Sequence, residues 1–230
     1  MYSCSPLSPP EFLQHLQGII FDCDGVLVDS RDSNRMFYNL IRLKMGLLPI
    51  SPEDEEYVHS HSVCQCLARI IPADRLDEAE TVRRNLDYGE IFPYIFLEDG
   101  VEAFLDMLLR CGIRMAVHTN RTTTIERLLR HFDIDRFFQP VVSAGSLSHP
   151  KPNPEGVHRI LAAWRLPKDN VAYIGDSALD ERSARAAGVR FWAYKNPGLL
   201  AAMYIPDYDS LRACLGRVLA ERKGEPTRAD

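Results

Sequence analysis

The spacing of apolar residues along this chain changes character twice. Gly18-Ile19-Ile20-Phe21 is a short apolar run that stops at Asp22, the mark of a strand buried on both faces. From about residue 31 to 95 the period turns helical. Met36, Phe37, Leu40, Ile41 and Met45 share one face, and Gly46 suits a stop. Ser51-Pro52-Glu53-Asp54 reads as a helix start, with Val58, Leu67 and Ile71 inward on the helix that follows. A third helix from about Asp74 carries Leu76, Ala79, Val82 and Leu86 and ends near Tyr88-Gly89. From Phe96 helices and strands alternate. The strands are expected at 113–119, 140–143, 171–175 and 190–194. The helices between them carry the stripes Val101/Phe104/Leu105/Leu108/Leu109, Ile125/Leu128/Leu129/Phe132 and Val157/Ile160/Leu161/Trp164. Thr122 or Thr123 is expected to cap the second of these, and Asn153-Pro154 to open the third. A small-residue helix then stops at Gly188, and a closing helix spans 210–219.

Strands alternating with helices predict an α/β fold, a doubly wound and mainly parallel sheet with right-handed crossovers. The helical stretch 31–95 is too long and too periodic for a loop, so it is expected to be an inserted all-helical cap. The predicted division is a leader at 1–17, a core at 18–30 and 96–220, the cap at 31–95, and a polar tail at 221–230.

Composition narrows the class. The chain has 230 residues, 46% hydrophobic and 26% charged, ordinary for a globular protein. Its net charge of -5 and the lack of a basic run argue against nucleic acid and anionic membrane as partners. The start shows no secretion signal. The six cysteines follow no disulfide-framework spacing, which fits free thiols in a reducing cytoplasm.

The chemistry gathers where apolar runs end. The first strand ends at Asp22 and Asp24, the second at Thr119-Asn120, and the fourth at Gly175-Asp176-Ser177 with Asp180 one turn on; Lys151 follows the third. In a doubly wound sheet these ends share one edge. Several carboxylates together suit a hard cation, and Mg²⁺ commonly uses one or two carboxylates plus a phosphate. A lysine with hydroxyl and amide donors suits the remaining phosphate oxygens. One carboxylate can then attack phosphorus while a second moves protons.

Asp22-Cys23-Asp24-Gly25-Val26-Leu27-Val28-Asp29-Ser30, Thr119-Asn120, Lys151-Pro152-Asn153-Pro154 and Gly175-Asp176-Ser177-x-x-Asp180 resemble, in order, the four motifs of the haloacid dehalogenase-like hydrolase superfamily. The resemblance covers about Gly18 to Tyr194. The insertion resembles the helical cap of the phosphoglycolate phosphatase and β-phosphoglucomutase branch. It implies an Mg²⁺-dependent phosphatase acting on small phosphorylated metabolites through an aspartyl-phosphate. Asp22 would be nucleophile and metal ligand, and Asp24 the general acid/base with its carbonyl on the metal. Thr119, Asn120 and Lys151 would hold the phosphoryl group. Asp176 would complete the metal site, and Asp180 would support it from outside. The dehalogenases that name the superfamily lack the second carboxylate, so Asp24 favours phosphate esters. His118 stands where a small or apolar residue is expected, and Pro150 where glycine is common.

Each residue also has a plainer reading. Thr119-Asn120 alone is a helix cap, Lys151 a surface residue, and Asp180 a first-turn helix acid. Their joint placement favours catalysis. His59, His61, Cys64 and Cys66 do not have zinc-site spacing. His118 reads as a packed strand end, Arg83 and Arg84 as surface charges, and Trp164 and Trp192 as core. Two rival readings remain. A phosphosugar mutase would share this core, and product analysis separates it. A phospho-receiver module would also use strand-end acids, and a phospho-aspartate lasting minutes without turnover separates that.

Overall fold

The computed structural model describes residues 2–3, 11–61 and 63–222, with only the backbone at 2, 3, 59 and 60. Nine strands and nine α-helices are assigned among them. The strands are β1 (Tyr2–Ser3), β2 (Gly18–Phe21), β3 (Val28–Asp29), β4 (Phe96–Leu97), β5 (Arg114–Thr119), β6 (Val141–Ser143), β7 (Val171–Gly175), β8 (Arg190–Tyr194) and β9 (Met203–Ile205). The helices are α1 (Arg31–Lys44), α2 (Pro52–Ser60), α3 (Val63–Ile70), α4 (Leu76–Arg84), α5 (Val101–Arg110), α6 (Ile125–His131), α7 (Glu155–Trp164), α8 (Ala178–Ala187) and α9 (Tyr208–Arg222). None is long and apolar enough to cross a membrane.

Seven strands form one parallel sheet in the order β1-β9-β8-β7-β2-β5-β6. The chain builds outward from β2 through β5 to β6. It then returns to the other side of β2 and builds through β7, β8 and β9. The order therefore reverses at β2, and open α/β sheets form their ligand crevice at such a point, beyond the strands' C-terminal ends.

Every residue of β2 is buried. Ile20 joins a core with Val157, Ile160 and Trp164 of α7 and Ala184 of α8. Phe21 points to the opposite face, 6.3 Å from the Phe104 ring of α5, which lies 5.2 Å from Tyr208 of α9. Helices thus cover both faces, and each fully buried Ile or Phe contributes about 1.5–3 kcal/mol. Gly18 is where the strand passes Trp164: a Cβ there would meet the indole at 2.6 Å.

The chain divides into two compact units, residues 1–28 with 97–230, and residues 29–96. The second is helical, with α1 through α4. α2 begins where Ser51 accepts a hydrogen bond from the Asp54 N–H at 3.3 Å, with Pro52 in its first turn.

Several local expectations change. Within the predicted leader, Leu13 and Leu16 are buried, and the Gln17 N–H bonds the Asn170 carbonyl at 2.8 Å. The helix expected across residues 52–71 is broken between α2 and α3, because His61 turns extended (φ -120, ψ 161). Thr124, not Thr122 or Thr123, precedes α6. α4 ends at Arg84, short of Tyr88. Residues 4–10 of the predicted leader and 223–230 of the predicted tail lie outside the described residues, as does the His59 side chain.

Gly156 lets α7 approach β5. A Cβ at this position would lie 2.2 Å from His118 Nε2, deep in the core. Gly156→Ala is therefore expected to destabilise by about 1–3 kcal/mol through overpacking. A thermal melt equal to wild type would show that the His118 ring can move aside.

Candidate active site

β2, β5 and β7 are neighbours in register, so the residues just past their ends converge. Backbone pairing sets Phe21 beside both Val117 and Ile174. Asp22 continues β2, and its N–H donates to the Ile174 carbonyl at 2.9 Å. The Lys151 ammonium is buried between two carboxylates, with Nζ 2.7 Å from Asp22 Oδ1 and 2.6 Å from Asp180 Oδ1. Asp22 Oδ1 also accepts from the Cys23 N–H at 2.6 Å. Asn120 holds the lysine's loop: its Oδ1 accepts from the Lys151 N–H at 3.1 Å, and its Nδ2 donates to the Lys151 carbonyl at 3.4 Å.

Asp180 has two tasks. It sits at the third position of α8 in a reciprocal cap with Ser177: its N–H donates to Ser177 Oγ at 3.3 Å, and its Oδ2 accepts from the Ser177 N–H at 3.1 Å. Ser177 Oγ also donates to that Oδ2. Its Oδ1 receives the Tyr173 hydroxyl at 3.0 Å besides Lys151. These four donors fill the carboxylate's acceptor positions. The α8 cap and the lysine anchor are one side chain.

The electrostatics follow from counting charges. Burial raises the Asp22 carboxyl well above its ordinary value, and Asp180 and Asp176 push it the same way against Lys151. Burial and then Asp180 raise Asp176 to about 7. Asp180 is held low despite its burial, because Lys151, Ser177 and Tyr173 all favour its anion. Burial alone would discharge Lys151, yet the two carboxylates overcome it and raise its affinity for the proton. Three carboxylates thus face one ammonium.

Oxygens of Asp22, Asp176 and Asp180 lie within 4.8 Å of one another, the one such group among the described residues. An all-oxygen, net-negative set suits a hard divalent cation. Asp180 is already saturated, so Asp22 and Asp176 are the pair able to hold one. Gly25 keeps that space open: its φ is +73°, and a Cβ would fall 2.1 Å from Asp176 Oδ2. Asn196 steadies the Asp176 loop by donating to its carbonyl at 2.8 Å.

The profile of one family, described as haloacid dehalogenase-like hydrolase, matches residues 19–194, most of the chain, including Asp22, Asn120, Lys151, Asp176 and Asp180. The chain is a haloacid dehalogenase-like hydrolase. A phosphoglycolate phosphatase of Cereibacter sphaeroides is 30% identical to this hydrolase over 184 residues, 76% of this chain and 84% of the relative. A phosphoglycolate phosphatase of Pseudomonas fluorescens is 28% identical over 181 residues, 75% of this chain and 66% of that relative, so the match stops just short of two thirds of its length. Among solved structures, a HAD-superfamily hydrolase of subfamily IA from Geobacter sulfurreducens superposes with a TM-score of 0.80 at 33% identity, covering 88% of this chain and 97% of that one.

The hydrolase brings Asp22, Lys151, Asp176 and Asp180 into one cluster and ties Asn120 to it. Thr119 is buried, and its Oγ1 accepts from the Arg121 N–H at 3.1 Å. The Asp24 carboxylate is outside the cation group and sits on Arg121. The cap's histidines and cysteines form no such group among the described residues. His61 stacks on Tyr57 at 3.7 Å, Cys66 is buried, and Cys64 is exposed. Arg83 and Arg84 both pair with Glu80.

Sequence reasoning passed over Tyr173, Arg121 and Asn196. Tyr173 lies inside the strand expected at 171–175, and its hydroxyl reaches the site through Asp180. That hydroxyl also lies 3.3 Å from His118 Nδ1. Burial, with Lys151 nearby, drives His118 down to about 3, so the ring stays neutral in the folded hydrolase. An unfolded histidine binds a proton below about pH 6.5. Stability from this ring is therefore complete above pH 6.5 and is lost as pH falls toward 3. His118→Leu is expected to flatten the loss of melting temperature between pH 6.5 and 4. An unchanged slope would assign that loss to the carboxylates alone.

Proposed function

We propose that this hydrolase is an Mg²⁺-dependent phosphatase that cleaves small phosphorylated metabolites through an aspartyl-phosphate on Asp22. The observation that carries the reading is the buried Lys151 ammonium bridging Asp22 and Asp180, with Asp176 beside them as a further uncompensated carboxylate. Such a cluster is costly unless a further cation completes it.

A carboxylate oxygen of Asp22 attacks phosphorus. The ester P–O bond breaks, and Asp24 gives its proton to the departing alkoxide. Water then attacks the same phosphorus and passes a proton to the Asp24 carboxylate. The acyl P–O bond breaks, phosphate leaves, and Asp22 regains its carboxylate. Lys151, the Thr119 hydroxyl and the N–H groups after Asp22 hold the phosphoryl oxygens through both steps. A divalent ion held by Asp22, Asp176 and the Asp24 carbonyl would offset the charge that the phosphate adds. Asp180 keeps Lys151 aimed at Asp22.

Phosphoglycolate is the first substrate to try, because the relatives named above are phosphoglycolate phosphatases. The test is phosphate release from a panel of metabolite esters, with Mg²⁺ and with EDTA. Release that EDTA abolishes and Mg²⁺ restores is expected. Release unaffected by EDTA, or an isomerised sugar phosphate without free phosphate, would contradict the reading.

A further inference from the structure

Asp24 does not stand alone. Arg121 grips both of its oxygens, with Nε 2.7 Å from Oδ2 and Nη2 2.6 Å from Oδ1. This parallel fork is the strongest geometry available to an arginine and a carboxylate, and it fixes the plane of the carboxylate as well as its place. The guanidinium is well shielded, its side chain 13% exposed against 39% for Asp24. Arg121 is itself anchored three ways. Its N–H donates to Thr119 Oγ1, its carbonyl accepts from the Ala144 N–H at 3.0 Å, and Nη1 lies 3.4 Å from Thr124 Oγ1. The more buried, better-anchored partner therefore holds the more exposed one.

We infer that Arg121 is a positioning residue for Asp24: it sets the direction from which that carboxylate meets the leaving-group oxygen. The inference rests on the proposed phosphatase reading, in which Asp24 protonates the alcohol. Lysine is a point donor and cannot reproduce the fork, so Arg121→Lys keeps the charge and loses the alignment. A geometric error of about 1 Å at a reacting group can cost about a hundredfold.

The test uses two esters with the same phosphoryl group and different leaving groups. An alkyl phosphate needs its departing oxygen protonated, whereas p-nitrophenyl phosphate leaves readily as the anion. The quantity compared is kcat/KM, which reports formation of the phosphoenzyme. For Arg121→Met, with its melting temperature checked, the alkyl-to-aryl ratio of kcat/KM is expected to fall roughly ten- to a hundredfold. Arg121→Lys is expected to recover only part of that ratio. In an Asp24→Asn background, Arg121→Met is expected to leave the ratio where Asp24→Asn put it, because the arginine acts through the missing carboxylate. Equal losses on both esters would mean that Arg121 binds phosphate or only supports the fold, and would overturn the inference. An unchanged ratio would overturn it too. A wild-type protein that cleaves neither ester would instead refute the phosphatase reading.

Discussion

Asp22→Asn is expected to lower turnover by about 10⁴-fold or more, because it removes the proposed nucleophile while keeping its shape. The fold should survive. In the protein without metal, Asp22 is held against its preference by burial and by two neighbouring carboxylates. An uncharged amide relieves that repulsion, so the metal-free variant is expected to melt no lower than wild type. The two readouts together separate a chemical role from a structural one. Retained turnover would remove Asp22 from the mechanism, and a collapsed melt would make the activity loss uninformative about chemistry.

Lys151→Met should act on both readouts at once. The ammonium is the shared partner of Asp22 and Asp180, with a side chain 3% exposed. Removing one member of a buried ion pair typically costs about 3–5 kcal/mol, because the remaining charge is left uncompensated. In a protein of this size each ~1 kcal/mol moves the melting temperature by about 2–4 °C, so a fall of roughly 10 °C is expected. Activity should drop a further ~10²–10³-fold with the lost charge stabilisation. High Mg²⁺ should return part of the stability and little of the activity, since an ion on Asp22 and Asp176 does not replace a donor on the phosphoryl oxygens. A melt equal to wild type would show that the bridge contributes nothing to the fold.

The parts of this molecule that were readable from its residues are those that repeat or stop abruptly. β2, β5, β7 and β8 are apolar runs that end at a polar residue, and both the strand and its end follow from one pattern. The parallel sheet follows from their alternation with helices. β1 and β9, with two and three residues, carry too little pattern, and their neighbours create them. The break between α2 and α3 falls at His59-Ser60-His61-Ser62, where no glycine or proline marks it. Thr122, Thr123 and Thr124 are equally good caps by type, and only the backbone path chooses among them.

At the site, residue type and order indicated which groups could gather, but not how they pair. Asp180 and Lys151 are 29 positions apart, and Arg121 and Asp24 are 97 apart. No periodicity links such pairs. The one clue to Arg121 was a basic residue immediately after Thr119-Asn120, in a loop that begins at the crevice. Tyr173 was hidden by its own burial: a tyrosine inside a strand counts as apolar until its hydroxyl finds a carboxylate.

The most direct test of the central claim is to trap the enzyme during turnover. Acid quench in the steady state, followed by peptide mass analysis, is expected to place a phosphoryl group on the peptide containing Asp22. That group should be absent in Asp22→Asn and labile to hydroxylamine, as an acyl phosphate is. A phosphoryl group on any other residue, or hydrolysis at full rate with no phosphoenzyme under any quench condition, would contradict the account.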